Sequence, residues 1–70
     1  MPGLVECHSG YQYAQRPVAF LWLGDRKIIE AVLDQWLTPE ARCFRVITQD
    51  GQIFELRFTF ASDDWQIHQP

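Results

Sequence analysis

The clearest pattern in the chain is a strict alternation. Phe54, Leu56, Phe58 and Phe60 occupy every second position, with Glu55, Arg57 and Thr59 between them. A period of two predicts a strand with one face in a core. Arg42–Thr48 reads as its partner, and Gln49-Asp50-Gly51 separates the two runs. A two-residue Asp50-Gly51 turn would set Val46 against Glu55 and Phe44 against Arg57. A three-residue loop instead pairs Val46 with Phe54, Phe44 with Leu56 and Arg45 with Glu55. The second register matches apolar with apolar and opposite charges with each other. It requires a type I turn with Gly51 as the left-handed bulge residue, where a Cβ is penalised.

The first half of the chain is less periodic. Val18–Leu23 is a continuous apolar run, and Gly24-Asp25 follows it. A type II′ turn there predicts a hairpin with Phe20 opposite Ile29, Trp22 opposite Lys27 and Val18 opposite Ala31. The segment Lys27–Leu37 gives two readings. Its apolar positions 28, 29, 32, 33, 36 and 37 carry the spacing of an amphipathic helix, with Thr38-Pro39 as a stop. Read as a strand, it needs a bulge to bring Leu33 and Trp36 inward. In the strand reading Ile29, Ala31 and Leu33 face the core, and Ile28 and Val32 form a semi-exposed strip near Trp22. Trp65-Gln66-Ile67-His68 alternates again and reads as a last strand, after the polar turn Ala61–Asp64.

Length then limits the picture. Seventy residues make one small domain, and a chain of this size has little surface to bury. We expect an irregular lead-in over residues 1–16, with a short edge strand near Leu4–His8, and a single domain over residues 17–68. In so small a core the aromatic residues must supply most of the bulk, so Trp36 and Trp65 are core candidates. Trp22, beside a hairpin end, is expected to be partly exposed. The net charge of −3 argues against a strongly positive field for nucleic acid. The opening residues lack a basic region and a long apolar run, and no segment approaches a membrane span. We therefore expect a cytoplasmic protein with Cys7 and Cys43 reduced.

The sequence offers no catalytic arrangement. The glycines stand at 3, 10, 24 and 51, dispersed among turns rather than gathered in a phosphate loop. Cys7, His8, Cys43 and His68 are metal-ligand types, but neighbours on a strand point to opposite faces. Asp63-Asp64 reads as a solvated turn rather than an acid–base pair. We expect no enzyme activity, no cofactor and no metal. Binding is the better expectation. Tyr11, Tyr13, Trp22, Ile28 and Val32 are the candidate contact residues for a protein partner. Arg16, Arg26 and Lys27, with Trp22, would serve a nucleic-acid partner instead. Exposed sheet edges add the expectation that the chain pairs with a second copy.

Certain residues also carry a resemblance. They are Arg16-Pro17-Val18-Ala19-Phe20-x-Trp22-x-Gly24, Val32-Leu33-Asp34-x-Trp36, Phe44-Arg45-Val46-x-Thr48-x-Asp50-Gly51-x-x-Phe54-Glu55-Leu56 and Trp65-x-Ile67. This set resembles a family of small, largely uncharacterised bacterial β domains. It is also similar to the C-terminal segment of catalytically inactive Y-family-polymerase-like mutagenesis proteins. The resemblance implies a bacterial chain and an extended rather than helical Val32–Trp36. It further implies an all-β fold: a small antiparallel SH3-like barrel of five or six strands. The alternative is α+β, with a helix at 27–37. The chain departs from the family after Gly24, where Asp25-Arg26-Lys27-Ile28 replaces an aromatic followed by basic residues, and at Asp34-Gln35, where Arg is common. The implied function is a non-enzymatic binding or assembly module for a protein partner, linked to DNA repair. A nucleic-acid-binding barrel is the alternative.

Overall fold

The computed structural model describes residues 5–8 and 16–70, and Tyr11 and Tyr13 lie outside the described residues. Six strands run in chain order: β1 (Val5–His8), β2 (Arg16–Trp22), β3 (Asp25–Leu37), β4 (Ala41–Thr48), β5 (Ile53–Thr59) and β6 (Asp64–His68). Each pairs antiparallel with its neighbours in sequence. The sheet curls into a nearly closed small barrel of the SH3-like kind. No helix forms among the described residues, and Lys27–Leu37 is strand throughout.

β3 makes the barrel. Its first residues, Asp25–Ile28, pair with β2, and Ile29–Leu37 pair with β4. Two bulges lie between these ends, one between Ile29 and Ala31 and one between Val32 and Asp34. Each inserts one residue and reverses the side-chain alternation. Ile29 and Val32 therefore both pack against the core. Ala31 lies opposite Ile47 on the outside, and Leu33, in the second bulge, is exposed. After that bulge Trp36 pairs with Cys43 on the outer face.

This corrects three expectations. Ile29 reaches the core, but Ala31 and Leu33 do not. Ile28 and Val32 form no common strip, because the bulge at Glu30 turns Val32 inward. Trp36 is not a core residue. The bulges also explain the helix-like spacing. A bulged strand steps from Ile29 to Val32 across three residues, as a helix turn does.

The second hairpin takes the expected register. Val46 faces Phe54, Phe44 faces Leu56 and Arg45 faces Glu55. Gly51 has φ +85°, and its N–H donates to the Thr48 carbonyl at 2.9 Å. The Thr48 side chain binds Asp50 and accepts the Gln52 N–H at 3.1 Å, so the loop is held by its own polar groups.

The first hairpin is displaced. Trp22 pairs with Asp25, Phe20 with Lys27 and Ala19 with Ile28. The turn residues are Leu23 and Gly24, at φ 52° and 86°. Positive φ at both positions marks a type I′ turn, not the expected II′. Its twist suits the right-handed twist of the strands. The two-residue slip preserves which side chains share a face. Val18, expected opposite Ala31, is instead passed over by the bulge that sets Pro17 against Cys7. Pro17 cannot donate to the ladder, and it is buried beside that bulge.

The core gathers Val5, Phe20, Phe44, Val46, Phe54 and Leu56. Phe20 and Trp22 meet Phe54 edge-on, at centroid separations of 4.9 and 5.2 Å. Trp65 closes the other end against Phe44 and Phe58.

Candidate surface groove

The outer face of the β3–β6 layer is ordered in transverse rows by its register. Asp34, Arg45, Glu55 and His68 form one row, and Trp36, Cys43, Arg57 and Gln66 form the next. Adjacent strands lie about 4.8 Å apart. Trp36 and Arg57 thus flank Cys43 as two walls about 10 Å apart, backbone to backbone. Cys43 is small and buried, and it floors a shallow groove of about 270 Å³. Glu55, Leu56, Gln66 and His68 complete the lining.

The two walls differ chemically. Trp36 is 37% exposed, and the Arg45 guanidinium sits 6.0 Å from its ring centroid. Arg45 is itself fixed by Glu55, at 2.6 Å through Nη2. The Glu55 hydrogen bond, the charge of Glu55 and the nearby Asp34 raise the Arg45 pKa above its ordinary value. The Trp36 ring is thus steadied on one side by a cation that is already neutralised. Arg57 has no hydrogen bond or ion pair with any described residue. It offers a charged fork with no partner among the described residues.

Strand addition is discouraged along the edges of this layer. The Thr38 N–H donates to the Ala41 carbonyl. Antiparallel alternation then turns the Gln35 N–H away from β4. That N–H donates to the Asp34 carboxylate at 2.9 Å. On β6 the Trp65 N–H is likewise taken by Asp64, at 3.1 Å. Bulges and side-chain plugs of this kind blunt an edge.

Among the described residues expected to bind, Arg26, Lys27 and Ile28 line one open pocket with Asp25, Gln49 and Asp50, whereas Trp22 and Val32 pack against the core. Trp22 packs on Phe54 and covers one end of the core. Arg26 makes a two-pronged contact with Glu6, with both bonds at 2.8 Å. Hydrogen bonding to Arg26 holds the Glu6 carboxyl below its ordinary range, and the same contact raises Arg26. Lys27 bonds Asp50 at 2.8 Å. Asp50 is lowered, first by Lys27 and then by Thr48. Two of the three basic residues expected to meet phosphate are therefore matched by acids. Arg16 starts β2, at the opposite end of that strand from the Arg26 pair.

The sequence pattern missed Trp36 and Arg57 as neighbours. Arg57 and Cys43 could have been placed together from the second hairpin register alone. Trp36 could not, because its face depends on two bulges. Cys43 is a free thiol. Among the described residues no three metal-ligating side chains converge, and no helix is long and apolar enough to cross a membrane. Comparison with protein-family models, with curated proteins and with solved structures gives no match.

Proposed function

We propose that this chain is a non-enzymatic binding module that recognises a protein partner through the outer face of its β3–β6 layer. One observation carries the reading. A chain of 70 residues with three tryptophans leaves one of them, Trp36, on its surface beside a groove instead of in its core. A small core gains most from its largest apolar side chains, so an outward Trp needs a use outside the core.

Leu33, 50% exposed in the second bulge of the same strand, adds exposed apolar surface to β3. Aromatic and Arg side chains together are the usual anchors of protein interfaces. The pairing of Arg26 and Lys27 with acids favours a protein over a nucleic-acid partner. The resemblance of residues 16–68 to the C-terminal segment of inactive mutagenesis polymerases supports a role in a bacterial DNA-repair assembly.

The test is retention of host proteins by immobilised full chain and by Trp36→Ser. Specific proteins should be held by the first and lost by the second. Retention should survive nuclease and a rise from about 50 to 200 mM salt, where phosphate-driven binding falls steeply. Retention indifferent to Trp36, or abolished by nuclease, contradicts the proposal.

A further inference from the structure

Among the described residues, Arg57 is a cation that the fold leaves unused on the groove wall. Arg26, Lys27 and Arg45 each have a carboxylate at 2.8 Å or less. Arg57, by contrast, stands on the groove wall with no bond to any described residue. Arg57 is solvent-exposed, so leaving it unpaired is no burden on folding. The opposite wall is the indole of Trp36, and the floor between them is Cys43.

From this we infer that the groove receives an acidic side chain, glutamate by size, from an extended segment of the partner protein. The inference rests on the binding-module reading and names the chemistry of that partner. The walls stand two strand spacings apart, which leaves room for one side chain. Its methylenes would lie on the indole and over the Cys43 thiol. Its carboxylate would meet the Arg57 fork in the planar two-bond geometry that arginine favours. Gln66, beside Arg57 in the same row, can donate from its amide.

Charge selects the sign of the guest. Arg45 is already matched by Glu55, with Asp34 nearby, so the row beside the groove adds no cation. Arg57 is the unmatched charge on the wall. A basic side chain would meet it with repulsion, and a neutral one would leave it unsatisfied. A phosphate-bearing strand fits less well, because Arg57 is a single cation on the groove wall, enough for one carboxylate, whereas a nucleic-acid backbone engages several basic side chains.

The experiment is selection of a random peptide library displayed on phage against the full chain. Three variants run beside it: Arg57→Gln, Arg57→Glu and Trp36→Ser. Both residues lie on the surface, and thermal melts confirm that each variant folds. The wild-type chain should enrich peptides with Glu or Asp next to an apolar residue. Arg57→Gln should bind those peptides about tenfold less well, the scale of one charge-assisted contact. Arg57→Glu should invert the selection toward Lys and Arg, and Trp36→Ser should remove the apolar neighbour from the motif.

Peptides enriched equally by wild type and Arg57→Gln would overturn this inference while leaving a binding module in place. No enrichment by the wild-type chain would overturn both. Displacement of the selected peptides by a single-stranded oligonucleotide, with steep salt dependence, would reassign the groove to nucleic acid.

Discussion

The β4–β5 and β2–β3 hairpins are built on different information. In the β4–β5 hairpin both strands alternate, so only one register sets Phe44 and Val46 against Leu56 and Phe54. A one-residue slip would turn every side chain over, and the core forbids it. In the β2–β3 hairpin β2 ends in the continuous apolar run Val18–Leu23, which specifies no face. A two-residue slip moves the turn from Gly24-Asp25 to Leu23-Gly24 and keeps the same residues on each face. Hydrophobic pattern therefore fixes parity, and turn geometry fixes the remaining register. The β2–β3 hairpin accepts a leucine at φ 52° to obtain a turn with the right twist.

The two hairpins meet at Phe54, whose ring contacts Phe20 and Trp22 across the barrel. Phe54→Ala removes that joint. It should destabilise the chain by about 3–5 kcal/mol, enough to unfold a domain of this size. A denaturant titration with a full folded baseline and an unchanged midpoint would show that the hairpins stand independently.

The glycine substitution is smaller and confined to one hairpin. Gly51→Val should cost more than about 1 kcal/mol, measured by thermal or urea unfolding. A Cβ at that position would meet no atom within 4 Å, so the loss would be purely conformational. An unchanged melting temperature would mean that the loop is not the bulged turn described.

The opposite sign is expected in the other hairpin. Leu23 is 87% exposed and adopts φ 52°. Leu23→Asn should stabilise by roughly 0.5–1 kcal/mol, since asparagine tolerates the left-handed region. Destabilisation would contradict the type I′ assignment.

Acid is the mildest probe, and it acts on both hairpins. Glu6 is lowered by Arg26, and Asp50 by Lys27 and Thr48. A carboxyl with a depressed folded pKa adds stability above its unfolded value and loses it as pH falls through the folded one. Stability should therefore be level above the ordinary carboxylate range of about 4 and decline below it. Glu6→Gln should flatten part of that decline. An identical acid profile in Glu6→Gln would show that the Arg26 pair is not linked to folding.

One hairpin of the barrel was legible in residue pattern alone. The alternation from Phe54 to Phe60, the charge match of Arg45 with Glu55 and the demand for glycine at 51 determined one hairpin with its register. The strand nature of 27–37 was not legible from periodicity, because two bulges imitate a helical step. The groove was lost for the same reason. Its floor and one wall, Cys43 and Arg57, follow from the β4–β5 hairpin. Its other wall, Trp36, depends on how often β3 bulges, and bulges leave no fixed residue signature in β3. Arg26 and Lys27 looked like a basic patch because their acid partners, Glu6 and Asp50, are distant in sequence.

The double bulge is thus the central structural claim, since it directs Val32 inward and sets Trp36 beside Cys43. Cross-strand nuclear Overhauser contacts between β3 and β4 in the labelled full chain measure it directly. The account predicts contacts of Ile29 with Thr48, Val32 with Val46, and Trp36 with Cys43. A continuous register running on from the Ile29–Thr48 pair, with Val32 opposite Arg45 and Trp36 opposite Ala41, would contradict it.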